Sequence, residues 1–207
     1  MATRSIVYVD GFNLYYGAIR GTAHKWLDLE RFFRLLRPND DLQVIRYFTA
    51  LVNGPPRPNQ EVYLKALETL PLVEIELGKF KTKRVKCRVS ACSYTGSRLF
   101  PTEEEKRTDV NIGIRMIDDA YQDLCDLFIV VSGDSDLVPA VHLVKERFPH
   151  KKIVVYVPAR NPVRGAAVEL RSAADRAKLL PLQLLPHAQF PPRVPDAGGF
   201  LVKPATW

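Results

Sequence analysis

Four aspartates are the residues of this chain best placed to do chemistry. Asp10 follows the β-branched and aromatic run Ile6 to Val9, and Asp134 and Asp136 follow Phe128 to Val131 after a Ser132-Gly133 turn. Each run reads as a short buried strand, so two strand ends deliver three carboxylates to one sheet edge. Asp109 is the fourth, sharing a helical face with Gly113, Met116 and Ala120 that turns it toward the sheet, half-buried. Carboxylates gathered within about 4 Å repel by roughly 4 kcal/mol per pair at an effective dielectric near 20. Shared protons can neutralise such a set, as can a hard divalent cation, Mg²⁺ or Mn²⁺ keeping several waters. The cation accommodates three or four acids more easily. It can also acidify a bound water and neutralise charge on a phosphodiester during in-line displacement.

Each acid has a plainer use as well. Asp is a preferred N-cap residue, so Asp10 can cap the helix after the first strand, and Asp134 or Asp136 the helix from Leu137. Asp109 can pair locally with Lys106 or Arg107, because buried charges are paired or bind metal.

The elements that must position these acids alternate strand and helix. A helix is predicted through Ile19 and another over Leu27 to Leu36, ended by Pro38-Asn39-Asp40. A strand over Leu42 to Val52 leads into a rigid loop holding Pro55, Pro56 and Pro58, then a helix from about Gln60 to Leu70 and a strand over Leu72 to Phe80. Thr102-Glu103-Glu104-Glu105 predicts the start of the next helix, with acids suited to the positive end of its dipole. Its stripe of Val110, Ile114, Ile117, Tyr121 and Leu124 is expected to pack on the sheet. Helices over Leu137 to Arg147 and Gly165 to Ala174 follow, with strands at Lys152 to Val157 and Leu179 to Leu185. The alternation predicts a parallel, doubly wound α/β sheet in one domain over residues 1–186, with 187–207 as a proline-rich, mostly irregular tail.

Three segments together, Tyr8-Val9-Asp10-Gly11-Phe12-Asn13-Leu14-Tyr15, Glu105-Lys106-Arg107-Thr108-Asp109-Val110-Asn111 and Val131-Ser132-Gly133-Asp134-Ser135-Asp136-Leu137-Val138-Pro139, resemble the NYN domain, a branch of the PIN-like nuclease superfamily. The resemblance covers roughly residues 4 to 185. It implies a Rossmann-like sheet flanked by helices and a metal-dependent endoribonuclease site, with Asp10, Asp109, Asp134 and Asp136 as the catalytic, Mg²⁺- or Mn²⁺-holding acids. It further implies that Asn13 is a polar position beside the first aspartate, and that Thr108 and Ser132 are small hydroxyl positions near the metal, orienting ligands or substrate.

Charge is consistent with such a substrate. Lys and Arg number 30 against 23 acids, a formal net charge of +7. Reserving four acids for the site leaves 19 against 30 elsewhere, an acidic pocket in a basic shell that would suit cutting a polyanion such as RNA. Lys79, Lys81, Lys83, Arg84, Lys86 and Arg88 could track a phosphate backbone, with Phe80 or Tyr94 as a stacking face. The alternative for this basic insert, residues 79–100, is a solvated edge strand whose lysines discourage aggregation.

Other chemistries find less support. Cys87 and Cys92 look like half of a zinc site, but Cys125 and the four histidines supply no second paired spacing, so packing or free thiols is expected. No Gly-x-Ser-x-Gly elbow is present, and His142 is expected inside an apolar helix face. Asp10 after the first strand would oppose a pyrophosphate, against dinucleotide binding. The opening residues read as neither signal peptide nor anchor, and no apolar run approaches the roughly 18 residues of a membrane span, so a cytoplasmic protein with no membrane partner is expected. The tail, with Phe190, Phe200 and Trp207, is read as a disordered end or a docking segment, which leaves a homodimer open. Two other functions fit the acids: a non-catalytic RNA-binding or regulatory module that retains the pocket, and a metal-dependent phosphatase.

Overall fold

The computed structural model describes residues 2–160 and 168–207. In chain order the strands are β1 (Thr3–Asp10), β2 (Asp40–Thr49), β3 (Val73–Leu77), β4 (Lys79–Lys86), β5 (Leu99–Lys106), β6 (Leu127–Val131), β7 (Lys152–Val157), β8 (Arg176–Leu179), β9 (Arg193–Asp196) and β10 (Gly199–Val202). The helices are α1 (Gly11–Leu14), which continues as a wider turn over Tyr15–Ile19, α2 (Leu29–Leu36), α3 (Arg57–Glu68), α4 (Thr108–Tyr121), α5 (Val138–Arg147) and α6 (Val168–Ala173). Six strands pair in the order β3-β2-β1-β6-β7-β8, all parallel, and helices cover both faces. This is the expected α/β sheet.

Covering both faces explains the unbroken apolar runs. Val7 and Val9 enter the core shared with α2, α3 and the C-terminal segment, while Ile6 and Tyr8 enter the core under α4, α5 and α6. The chain winds outward from β1 through β2 to β3 and, in the other direction, from β6 through β7 to β8. The direction reverses between β1 and β6, so a crevice opens at their carboxyl ends, where open α/β sheets bind ligands.

Several expectations need correction. Thr102 to Glu105 do not begin a helix; they lie in β5, antiparallel to β4 in a two-stranded arm. Glu104 is held there by lysines, ion-paired to Lys83 on the strand opposite and to Lys106 on its own strand. The helix starts at Thr108 instead, after Arg107 in a left-handed backbone conformation. Most of its predicted packing stripe faces outward: Val110 is 63% exposed, Ile114 59% and Tyr121 65%, while Ile117 does pack on the core beside the buried Ile112, Met116 and Ala120. Buried polar pairing decides that rotation. Asp119 accepts from Arg46 Nε at 2.9 Å, from Arg46 Nη2 at 2.8 Å and from the Tyr8 hydroxyl at 2.6 Å, locking α4 to β1 and β2.

Helix α3 begins at Arg57, earlier than expected, because Pro58 is tolerated in a first turn. The last strand lies earlier than expected, with β8 over Arg176–Leu179 and a tight helical turn over Leu182–Ala188. His142 lies on the exposed side of α5. The predicted helix over Gly165 to Ala174 is seen as α6, and its first residues lie outside those described.

The segment after His187 is far less irregular than its prolines predict. It forms the β9–β10 hairpin, buries Phe190 and Val194, and docks on its own body. Trp26 Nε1 donates to Pro191 O at 2.8 Å, and Trp207 packs against Trp26 and Tyr63. Aromatic anchoring of this kind needs no long strand, so proline does not prevent it. Among the described residues no helix is long and apolar enough to cross a membrane.

Candidate active site

Strand β1 ends in Asp10, which is 3% exposed and caps α1 by accepting from Asn13 N at 2.9 Å. Its other oxygen accepts from Asn13 Nδ2 at 2.5 Å and from Ser132 Oγ, just past β6, at 3.0 Å. Asn13 in turn accepts from Gly133 N at 3.0 Å, and Ser132 Oγ accepts from Asp134 N at 3.1 Å. Asp134 caps the next turn through Asp136 N at 3.0 Å. The capping role and the clustering role therefore hold together. A side chain at Gly11 would strike Phe48 O at 2.7 Å, so only glycine lets the chain turn this tightly after Asp10.

Asp109 enters from α4. Burial pushes its carboxyl up to about 6, helped by the charges of Asp134, Asp10, Glu105 and Asp136 in that order. The charges of Asp10, Asp134 and Asp136 thus all act on Asp109. Lys106, a local partner considered for Asp109, pairs with Glu104 instead. Burial also raises Asp10, with a contribution from Asp134, against the hydrogen bonds from Asn13 and Ser132 that pull it down. Among the described residues no three acidic, histidine or cysteine side chains are drawn together closely enough to hold a metal ion. The donor set is nonetheless all-oxygen and strongly negative, the chemistry that a hard cation satisfies.

Glu105 is the site residue that sequence reasoning passed over. It accepts from Thr108 N at 3.2 Å and from the Thr108 hydroxyl, which fixes the start of α4. It stood inside the segment that carries Asp109, but its apparent place in a helical first turn concealed it.

A raised carboxyl lowers stability as pH climbs. An acid whose folded value is about 6 and whose unfolded value is near 4 costs nothing below pH 4, and its cost grows between pH 4 and 6. The ceiling is about 3 kcal/mol, and Asp109 is half-exposed, so screening reduces it to about 1 kcal/mol. In a chelator, Asp109→Asn should therefore stabilise the protein by about 1 kcal/mol at pH 7.5 and not at pH 4, read by urea unfolding. Equal effects at both pH values would contradict the clustering.

The basic residues sit elsewhere. Lys79, Lys81, Lys83, Arg84 and Lys86 are exposed along β4, with Arg88 just beyond it. Phe80 roots this arm beside the site by meeting Phe12 edge to face at 5.4 Å. Behind α1 a cavity of about 550 Å³ is lined by Phe12, Tyr15, Tyr47, Tyr63 and Trp207, with Lys25 also in its wall.

The NYN domain model matches residues 4–180. The chain belongs to the NYN domain family. This NYN domain is 28% identical to the 6-hydroxy-3-succinoylpyridine 3-monooxygenase HspA of Pseudomonas putida, over 99% of this chain and 75% of that protein. It is also similar to a solved protein of unknown function, VPA0982 of Vibrio parahaemolyticus, with TM-score 0.55, 21% identity and 97% of each chain covered. That second likeness shows the fold alone.

Proposed function

We propose that this NYN domain is a divalent-cation-dependent endoribonuclease. The observation that carries the reading is Asp109 held in the field of Asp10, Asp134, Asp136 and Glu105 at the point where the strand order reverses. Asp10, Asp109, Asp134 and Asp136 would hold Mg²⁺ or Mn²⁺, which when bound supplies charge neutralisation at the phosphodiester and a more acidic water. Asn13 and Ser132 aim the Asp10 carboxylate by donating to it. Asp109 presents its carboxylate from α4, adding to the negative charge that a cation would neutralise. Thr108 and Glu105 fix the helix end that presents it. Attack at phosphorus then leaves a 5′-phosphate and a 3′-hydroxyl.

The test is incubation of labelled single-stranded RNA with Mn²⁺, with and without chelator. Chelator-sensitive fragments support the enzyme. Retarded but uncut RNA supports the non-catalytic module, and hydrolysis of a chromogenic monoester with RNA intact supports the phosphatase.

The arm supports RNA as the partner. Replacing Lys81, Arg84 and Lys86 by Ala should flatten the dependence of log K on log salt by about 2, at about 0.7 per phosphate contact on a single strand. Anisotropy titrations at several salt concentrations measure it, and an unchanged slope removes the arm from the interface.

A second reading comes from the relative's name. A monooxygenase acting on a substituted pyridine needs a site for a flat ring, and the aromatic lining of the cavity behind α1 supports this reading. Oxygen uptake in the presence of that pyridine and a two-electron reductant tests it.

A further inference from the structure

The acids alone do not account for the cavity behind α1. Its lining gathers Phe12 and Tyr15 from the first turns after β1 with Tyr47, Tyr63 and Trp207 from β2, α3 and the C-terminal segment. Tyr47 and Tyr63 meet edge to face at 6.4 Å, and Trp207 lies 5.4 Å from Tyr63. Such walls present ring faces and edges, which suit a flat conjugated ring better than a flexible aliphatic chain. The volume, about 550 Å³, lies within the range of about 300–1,000 Å³ usual for small-ligand sites and exceeds what one ring fills. Lys25 supplies a cation in the wall, next to Thr206 O at 3.3 Å.

Location adds the second argument. Gly11 both follows Asp10 and lines the cavity, and a Cβ placed on it would come within 2.8 Å of the Tyr47 hydroxyl. The cavity therefore reaches the residue that follows Asp10 in the chain, with the Tyr47 ring packed against it. We infer that the cavity receives one unpaired nucleobase of a bound RNA strand, with the adjoining phosphate lying over the acids. This rests on the ribonuclease reading for its substrate. It adds that recognition includes a base and not the backbone alone. A free heteroaromatic molecule shares the ring chemistry, and the experiment separates the two.

The probes are a mixed-sequence 12-nucleotide RNA and the same strand made abasic throughout, titrated in excess chelator. Base–aromatic stacking predicts that the normal strand binds the wild-type protein about tenfold or more tightly than the abasic one and quenches tryptophan fluorescence. Trp207→Ala should abolish this preference and Trp207→Phe should keep most of it, while Tyr15→Leu offers a weakened variant that leaves the tail anchor in place. Equal binding of the two strands by wild type, or a preference that survives Trp207→Ala, overturns the proposal. It is also overturned if nicotinate quenches at micromolar concentration in a Trp207-dependent way and RNA does not displace it, which assigns the cavity to a free small molecule. Cleavage is scored separately with Mn²⁺. If wild type cuts no RNA while the base preference and its Trp207 dependence stand, the ribonuclease reading fails and the base site remains.

Discussion

Asp134→Asn should reduce Mn²⁺-dependent RNA cleavage by at least about 100-fold with the fold intact. Replacing partners that merely support a metal ligand typically costs 10–100-fold, so removing a ligand's charge should cost no less. Stability should be spared for a local reason. Asp134 caps the turn that follows by accepting from Asp136 N at 3.0 Å, and asparagine caps about as well as aspartate. Loss of a negative charge also relieves Asp109, whose raised carboxyl owes part of its shift to Asp134. Initial rates on labelled RNA, beside thermal unfolding of both proteins, measure the two halves of this claim. A variant that cuts at the parental rate removes Asp134 from the chemistry.

The largest stability effect should come from Asp119→Ala, about 3–5 kcal/mol of destabilisation. Asp119 is 1% exposed and accepts from both Arg46 and Tyr8. Truncating it strands a buried guanidinium and a buried hydroxyl, and losing one partner of a buried pair costs far more than exchanging both. Arg46→Leu combined with Asp119→Leu should accordingly lose much less than the single change. Denaturant midpoints settle the comparison, and a single-variant loss below about 1 kcal/mol would mean that the pair is solvated. Activity should fall along with stability, because this pair sets the rotation of α4 and so the aim of Asp109.

That rotation marks the boundary of what could be read from sequence. The buried strands announced themselves as apolar runs, and the carboxylates at their ends could be placed on one edge because parallel sheets put their sites there. Asp109 was legible through its company, as Gly113, Met116 and Ala120 make a sheet-facing stripe. The competing stripe of Val110, Ile114 and Tyr121 was more apolar and still lost. Hydropathy cannot report that Asp119 finds a bidentate arginine in β2, far along the chain. The run of glutamates from Glu103 misled for the same reason, since an acidic first turn and an acidic strand opposite lysines look alike until the partner strand is known. In the tail, proline density hid the anchoring of Phe190 and Trp207, which depends on Trp26 near the other end of the chain.

Asp10 meets Ser132 across 122 positions of sequence, through strands that pair only once β6 has taken its place beside β1. A nascent polypeptide that has left the ribosome only as far as the β4–β5 arm therefore carries one carboxylate of the eventual four and no crevice. The lysine-rich arm thus precedes the acidic crevice in the order of synthesis, and the four acids have no common edge to share until the second half of the chain has folded.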